Sequence, residues 1–236
     1  MVLLIISRDK RLEEEFNKTI RLKHEKQEDF NPTVKHATDF VYCLRKAYFR
    51  LKNYPSDLPE GAEHILEVGK THHLLYQVLR NAIKEYEVKY GEIVGHIDMF
   101  RGVPIEFKST RKWAYDDPTV ETLNPNYIRQ LGFYCLFSGI PEGKLVILPI
   151  IKPRIICFHI KFTPEELKQF EKELKEENEL LDKALKTDNI DLIPPKPRYK
   201  WECEMCAYRK YCKALSKPEL LEEEELEELL PIFEEE

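Results

Sequence analysis

The segment spanning residues 96–108 constrains the fold more than any other part of the sequence. A turn signal at 102–104 separates two apolar, alternating runs, and this pattern predicts a β-hairpin. Glu106 and Lys108 are two residues apart on the second predicted strand, so their side chains point to the same face. Asp98 lies on the first predicted strand. The hairpin therefore brings two carboxylates and one ammonium to one small patch.

Such a patch has the chemistry of a metal-dependent phosphodiesterase site. Carboxylate oxygens bind hard divalent cations, and a lysine beside them can face the attacking water or the phosphate. The competing interpretation is a surface hairpin with scattered charges, because an Asp followed at a distance by Glu-x-Lys is a short pattern that arises by chance. The motif alone leaves both interpretations open.

Three cysteines cluster near the end of the chain with the spacing Cys203-x-x-Cys206-x(5)-Cys212. A closed metal or iron–sulfur site takes four ligands, so a fourth must come from elsewhere. Cys43 is the best candidate, because basic and aromatic residues flank it at a predicted helix start. The spacing fits zinc and an iron–sulfur cluster equally, and three unconnected cysteines are the remaining interpretation.

Apolar periodicity predicts the elements around the hairpin. Residues 62–84 and 125–138 have helical spacing, and Thr163 begins a long charged helix with the Thr-Pro-Glu-Glu sequence of a capping box. Cys135 and Cys157 lie in apolar runs and are predicted to pack in the core. The predicted strands cover residues 86–90, 92–101, 103–110, 144–151 and 154–162.

The predicted helices carry two more polar sets. The first helix contains the pair His72 and His73, and adjacent helical residues face different directions, so one of the two can turn toward the core edge. Gln130 and Tyr134 are four residues apart on the second helix and therefore share one face. Both sets are candidates to join the carboxylate patch.

Taken in order, these motifs resemble a known family. The set Gly69-x-x-x-His73, Asp98, Glu106-x-Lys108 and Gln130-x-x-x-Tyr134 is similar to the RecB-like branch of the PD-(D/E)xK nucleases. The four cysteines add a resemblance to the CRISPR-associated RecB-like exonucleases, over residues 36–215. Ile97 stands before Asp98 where the superfamily motif has Pro, a common departure in this branch.

The resemblance implies an α/β, restriction-endonuclease-like fold with a mixed central sheet flanked by helices. A small iron–sulfur lobe would be formed by the N- and C-terminal segments. The resemblance implies four segments. Residues 1–60 would contribute one cluster cysteine, and residues 61–192 would form the nuclease core. Residues 193–218 would carry the other cluster cysteines, and residues 219–236 would form an acidic tail.

The resemblance also implies the roles of individual residues. Lys108 would act on the attacking water or the phosphate, while Gln130 and Tyr134 would position the DNA strand. His73 would be a metal ligand, chosen over His72 on the glycine spacing. One or two Mn²⁺ or Mg²⁺ ions would be held by His73, Asp98, Glu106 and the main-chain carbonyl of Phe107. A [4Fe-4S] cluster would be held by Cys43, Cys203, Cys206 and Cys212.

The activity implied is that of a metal-dependent exonuclease on single-stranded DNA, processing DNA for CRISPR spacer acquisition beside CRISPR adaptation proteins. Two alternatives stand: a repair or viral nuclease of the same fold, and a non-catalytic iron–sulfur or zinc DNA-binding module. Because no apolar run is long enough to span a membrane, we expect a cytoplasmic protein without a membrane partner. In that compartment cysteines serve as ligands more often than as disulfides.

Charge is distributed unevenly along the chain. The formal net charge is −6, yet residues 219–236 hold ten Glu and no Lys or Arg, so the remainder carries +4. A mildly basic body permits nucleic-acid binding without requiring it. The acidic tail is predicted to be a solvated helix end, a partner-binding segment or a mimic that keeps DNA away.

Basic and aromatic residues near the cysteines are candidates for a DNA channel. Three aromatic residues, Tyr199, Trp201 and Tyr208, either stack bases or pack around the cluster, and the sequence leaves both open. The basic residues concerned are Arg45, Lys46, Arg50, Arg198, Lys200, Arg209, Lys210 and Lys213.

Overall fold

The computed structural model describes residues 33–59, 61–79, 86–110, 122–151, 155–197 and 200–216. Two short 3₁₀ helices cover Ala37–Phe40 and Ile190–Leu192. The α-helices are α1 (Leu44–Leu51), α2 (Ala62–Leu79), α3 (Pro125–Ser138), α4 (Pro164–Thr187), α5 (Lys200–Glu204) and α6 (Arg209–Ser216). The strands are β1 (Tyr86–Tyr90), β2 (Ile93–Ile97), β3 (Met99–Phe100), β4 (Pro104–Thr110), β5 (Glu142–Pro149) and β6 (Ile156–Lys161).

Within the described residues, six strands form two sheets. β1 and β2 make an antiparallel hairpin, and the other four lie in the order β3-β4-β5-β6. Within the larger sheet β4 and β5 are parallel, whereas the outer pairs are antiparallel. A parallel pair needs a crossover connection, and α3 supplies it between β4 and β5. The predicted mixed sheet flanked by helices is confirmed.

Helix α3 packs against neighbouring elements on two of its sides. Its inner side packs Leu131 and Cys135 against Leu145 and Ile147 of β5. Its other side packs against α4, where a Cβ added at Gly132 would meet the Phe170 ring at 2.5 Å. The expectation that Cys135 is a core residue is confirmed, since its side chain is fully buried.

The two ends of the described chain meet on the same core. Phe49 of α1 stacks on Tyr208, and the Asp57 N–H donates to the Ala207 carbonyl at 3.0 Å. These residues share one buried cluster with Leu174 of α4. The segments expected to form a small lobe therefore pack directly against the main core. Among the described residues, no helix combines the length and the apolar character needed to cross a membrane.

Helix α4 begins where the capping-box sequence predicts. Thr163 Oγ1 accepts from the Glu166 N–H at 3.2 Å, and Glu166 Oε2 accepts from the Thr163 N–H at 2.7 Å. Two backbone donors that the first helical turn cannot satisfy are thereby paired.

We expect Thr163→Ala to lower the free energy of unfolding by about 1 kcal/mol, because it removes the side-chain acceptor of this cap. Urea-induced unfolding measures the change. Thr187→Ala, at the other end of α4, is the matched control: its hydroxyl bonds only to the Lys183 carbonyl within the helix, so we expect less than about 0.5 kcal/mol. Equal effects of the two substitutions would contradict the capping role.

Candidate active site

Asp98 lies where the chain passes from one sheet to the other. β2 ends at Ile97 and pairs with β1, whereas β3 begins at Met99 and pairs with β4. The continuous strand expected over residues 92–101 is therefore wrong at this position, because the neighbours of Asp98 belong to different sheets. Asp98 Oδ2 accepts a hydrogen bond from the Phe107 N–H at 2.8 Å, and this bond holds the carboxylate beside β4.

Strand β4 carries Glu106 and Lys108 on one face, as predicted. Lys108 Nζ lies 2.6 Å from Glu106 Oε1 and donates to Gln130 Oε1 at 2.8 Å. The Gln130 amide donates in turn to the Tyr134 hydroxyl at 2.9 Å. The structure thus joins four of the predicted side chains in one polar chain that runs from the sheet onto α3.

Glu106 is the most deeply buried of these groups. The residue is 2% exposed, and Oε2 has no hydrogen-bond partner among the described residues. Burial and the neighbouring Asp98 raise the pKa of Glu106 to about 8 against the opposing effect of Lys108. A carboxylate buried in this way is stable only with a proton or a cation on its second oxygen.

The surroundings of Lys108 keep it in its charged form. Burial disfavours its ammonium, but the charges of Glu106, Tyr42 and Asp98 outweigh burial and raise the pKa of Lys108 above its ordinary value. Its Nζ also stands 5.6 Å from the centre of the Tyr127 ring, within the range of a cation–π contact. Lys108 is therefore a fixed positive charge rather than a proton donor near neutral pH.

The two carboxylates suit a hard divalent cation. Oxygen ligands of this kind favour Mg²⁺ or Mn²⁺, and the unpaired Glu106 Oε2 is an atom that such an ion would satisfy. Asp98 and Glu106 make only two ligands. Within the described residues, no group of three or more His, Cys, Asp or Glu side chains is assembled for a metal.

For the predicted histidine ligand, the structure describes the helix but not the side chain. His72 and His73 lie in α2, but their side chains fall outside the described ones, so the choice between them stays a prediction. Helix α2 approaches β4 closely at Gly69, where an added Cβ would stand 3.3 Å from Ser109 Oγ. His73 follows Gly69 by one turn and so occupies a position on the same helical face.

Phe107 lies between the two charged residues of β4. Its ring packs on the opposite face of the sheet with Met99 and Val146, and its N–H holds Asp98. The proposed use of its main-chain carbonyl as a metal ligand stays a prediction.

The four cysteines expected to act together line one cavity of about 630 Å³. Cys43 is the N-cap residue of α1, as its sequence context predicts. Cys203, Cys206 and Cys212 come from α5, α6 and the turn between them. Burial raises the pKa of the Cys43 thiol, and the nearby sulfurs of Cys212 and Cys203 raise it further. The thiols therefore lie near one another, although no three of them are close enough to form a metal site.

Two donors already point at these sulfurs. The Tyr208 N–H donates to Cys206 Sγ at 3.4 Å, and Arg45 Nη1 donates to Cys212 Sγ at 3.8 Å. Such donors stabilise thiolates in metal and iron–sulfur sites. The sixth cysteine, Cys157, is exposed on β6. Its prediction as a core residue is wrong, because the alternation of β6 turns Cys157 outward between the half-buried Ile156 and Phe158.

Only some of the described residues that were expected to line a DNA channel are exposed. Arg45 is 4% exposed and donates through Nε to the Ile193 carbonyl at 2.7 Å. Arg50 pairs with Asp39 at 2.6 Å, and Tyr208 is buried in the core. These three residues are structural, because packing and ion pairs use their side chains. Lys46, Trp201 and Arg209 are exposed, whereas Arg198 and Tyr199 lie outside the described residues.

Sequence reasoning missed two residues beside the site. Arg129, next to Gln130 on α3, is buried, pairs with Glu173 and Glu177 of α4, and donates to the Phe40 carbonyl at 3.0 Å. Tyr127 places its ring near Lys108. The available signal for Arg129 was the pair of glutamates four residues apart on α4, which lie on one helical face.

No protein-family model matches the chain, and no curated protein matches it. The crystal structure of SSO0001 is similar, with a TM-score of 0.53 and 22% identity over 86% of this chain and 96% of that protein. This likeness supports a shared fold.

Two exonuclease structures are more distant. The alkaline exonuclease LHK-Exo from Laribacter hongkongensis has a TM-score of 0.49 and 14% identity over 66% of this chain and 91% of its own. A phage-related exonuclease from Haemophilus somnus 129PT has a TM-score of 0.44 and 14% identity over 61% of this chain and 81% of its own. At these scores the two likenesses carry no argument about activity.

The raised pKa of Glu106 predicts how the stability of the metal-free protein depends on pH. Between the ordinary value of 4.5 and about 8, the folded chain holds a proton that the unfolded chain has released. Stability therefore falls as pH rises through this window, by at most about 1.4 kcal/mol per pH unit. Urea unfolding in the presence of a chelator, from roughly pH 5 to pH 8, measures the slope.

Glu106→Gln is the control for this slope, since the amide keeps the shape and does not titrate. We expect wild type to lose stability relative to this variant as pH rises. Adding Mn²⁺ should reverse the trend, because the cation binds the ionised carboxylate and replaces the proton. Parallel curves for the two proteins would show that Glu106 has an ordinary pKa.

Proposed function

We propose that this protein is a metal-dependent nuclease that cleaves DNA at the site formed by Asp98, Glu106 and Lys108. One observation carries the proposal: Glu106 Oε2 is buried beside Asp98 without a hydrogen-bond partner among the described residues, while a lysine occupies the other oxygen. A structural ion pair alone would leave that oxygen unsatisfied at an energetic cost. A divalent cation removes this cost.

Asp98 and Glu106 would hold the cation, with His73 and the Phe107 carbonyl as the further ligands expected from the resemblance. A bound Mn²⁺ or Mg²⁺ supplies a water of lowered pKa and offsets charge on the scissile phosphate. The Phe107 N–H fixes Asp98 through Oδ2, so the two carboxylates are oriented before any ion binds. Preorganisation of this kind is what gives buried charges their effect on a transition state.

Lys108 is suited to stabilise the transition state of phosphodiester cleavage. An ammonium has three donors, and Glu106 and Gln130 accept two of them. The third can meet the attacking water or a non-bridging phosphate oxygen. Because its pKa is raised, the lysine stays charged and stabilises the negative charge that develops on the phosphate.

Gln130 and Tyr134 support Lys108. They are 5% and 3% exposed, and the Gln130 amide is oriented by its hydrogen bond to the Tyr134 hydroxyl. This geometry favours a positioning role that acts through the lysine. Their expected contact with the DNA strand would require a substrate that reaches into the site.

We further propose single-stranded DNA as the substrate. The support is the family resemblance together with the exposed Trp201, Lys46 and Arg209 at the cysteine cavity, since one aromatic ring with nearby cations suits stacked bases and a phosphate backbone. A role in CRISPR spacer acquisition with adaptation proteins rests on the resemblance of the cysteine set alone. Neighbouring genes would distinguish it from repair or viral DNA processing.

We also propose that Cys43, Cys203, Cys206 and Cys212 hold a [4Fe-4S] cluster. All four line one cavity, and N–H donors already face two of the sulfurs. The sulfurs would have to converge and lose their protons on binding. The crosslink would join α1 to α5 and α6 and so stabilise the contact between these segments. Hydrolysis needs no electron transfer, so the role is structural.

Asp98→Ala, Glu106→Ala and Lys108→Ala should each reduce cleavage of end-labelled single-stranded DNA in Mn²⁺ on the order of a hundredfold or more. Each change removes a group that acts on the metal or the phosphate. Glu142→Ala is the matched control, because this carboxylate forms ion pairs with surface residues of β6, His159 and Lys161. Undiminished cleavage by Glu106→Ala, with circular dichroism unchanged, would refute the nuclease proposal.

Purified anaerobically, the protein should be yellow-brown from thiolate-to-iron charge transfer. Cys43→Ser, Cys203→Ser, Cys206→Ser and Cys212→Ser should each lose colour and iron. Cys157→Ser is the clean control, since its thiol is exposed and lies outside the cavity. A colourless protein with stoichiometric zinc would replace the iron–sulfur proposal with a zinc site and leave the nuclease proposal intact.

A further inference from the structure

The mouth of the cysteine cavity exposes apolar side chains that the proposed chemistry does not use. Ile65 and Leu66 of α2 are 50% and 45% exposed, and Trp201 of α5 is 44% exposed. All three line the same cavity. Large apolar groups that stand together at a cavity mouth, unlike single exposed residues, indicate an interaction surface.

Cations lie around the same mouth. Lys46, Arg209 and Lys213 line the cavity on the α1 and α6 sides. Lys46 and Arg209 are exposed and Lys213 is half-buried. Lys210, which does not line the cavity, is instead paired with Asp57 at 2.9 Å. The surface therefore combines an apolar centre with a positive rim, so its partner should be apolar and acidic together.

The chain itself contains a segment of this composition. Residues 217–236 hold ten Glu, and Leu226, Leu229 and Leu230 are spaced at i, i+3 and i+4. The segment starts directly after α6, only four residues beyond the cavity-lining Lys213. Twenty residues can extend up to about 65 Å. Length, starting point and charge all permit the segment to fold back.

We propose that residues 217–236 dock in the same chain on the mouth of the cysteine cavity. The leucines and Phe233 cover Ile65, Leu66 and Trp201, while the glutamates pair with the rim cations. The docked segment covers Trp201, Lys46 and Arg209, the exposed side chains proposed above to bind a DNA strand. It therefore competes with DNA at this surface. The docking itself does not depend on the nuclease proposal.

Zero-length carbodiimide coupling of the intact chain tests the docking directly, because it joins only carboxylates and amines that touch. Peptide mass spectrometry should find tail glutamates joined to Lys46 or Lys213. Lys161 and Lys172 are the reference amines, since their side chains are 73% and 67% exposed and do not line the cavity. Coupling to the cavity lysines should exceed coupling to these two several-fold and should fall as salt is added.

Three substitutions on one helix test the apolar part. Ile65→Asp and Leu66→Asp place a charge under the docked leucines and should reduce coupling to Lys46 and Lys213 several-fold. Val68→Asp is the matched control, because Val68 is 42% exposed on the same helix but does not line the cavity. Its coupling should equal that of wild type.

Two results would overturn the proposal. The first is coupling of the tail glutamates to all lysines in proportion to their exposure, which a solvated tail predicts. The second is coupling mainly between chains in a mixture of ¹⁴N- and ¹⁵N-labelled protein, which would assign the surface to a second copy. Both readouts are independent of DNA cleavage. Cavity-directed coupling would therefore support the docking whether or not the protein cleaves DNA, and the nuclease proposal is judged separately by the Glu106→Ala variant.

Discussion

A carboxylate buried in the centre of the fold sets the requirements that the surrounding residues meet. Glu106 is 2% exposed, and the first four residues of its strand, from Pro104 to Phe107, are all buried. An isolated charge there would cost several kcal/mol. Lys108 offsets part of this cost through Glu106 Oε1, and Gln130 and Tyr134 extend the compensation onto α3. The second carboxylate oxygen is left for a proton or a cation.

The topology explains why these groups can meet. β4 and β5 are parallel, so the chain must cross over the sheet between them, and it does so as α3. The crossover lays Gln130 and Tyr134 over the face that carries Glu106 and Lys108. Asp98 comes from the step between the two sheets, and the Phe107 N–H holds it in place. The site therefore lies where two sheets and the crossover helix come together.

The sequence predicted the ends of an element correctly where residues at those ends determine them. The Thr163 cap and the span of α3 match the sequence expectation residue by residue, because Thr163, Asn124 and Gly139 determine those boundaries through their own hydrogen bonds or backbone angles. The pairing of Glu106 with Lys108 also follows from strand alternation alone. The end of β2 just before Asp98 could not be predicted in this way, because it depends on tertiary pairing: β2 pairs with β1, whereas β3 pairs with β4.

Burial of individual side chains was the least predictable feature. Cys157 and Cys135 both lie in apolar runs. Cys157 is exposed on an outer strand, whereas Cys135 is fully buried on the side of α3 that packs against β5. Arg45 was a candidate for DNA contact but is enclosed by the Ile193 carbonyl and Cys212. Its position next to the cysteines was visible in the sequence, whereas its neighbour Ile193 lies far along the chain and appears only when the fold is complete.

The segment from Phe40 to Cys43 ties the two candidate sites together. The Phe40 carbonyl accepts from Arg129, the neighbour of Gln130 on α3. Tyr42 contributes to the raised pKa of Lys108 and also lines the cysteine cavity, where its ring meets Trp201 edge-on at 6.2 Å. Cys43 follows immediately, and its N–H donates to Glu202 of α5. The segment from Phe40 to Cys43 therefore contacts both candidate sites, and a group bound by the four cysteines would hold one end of this segment.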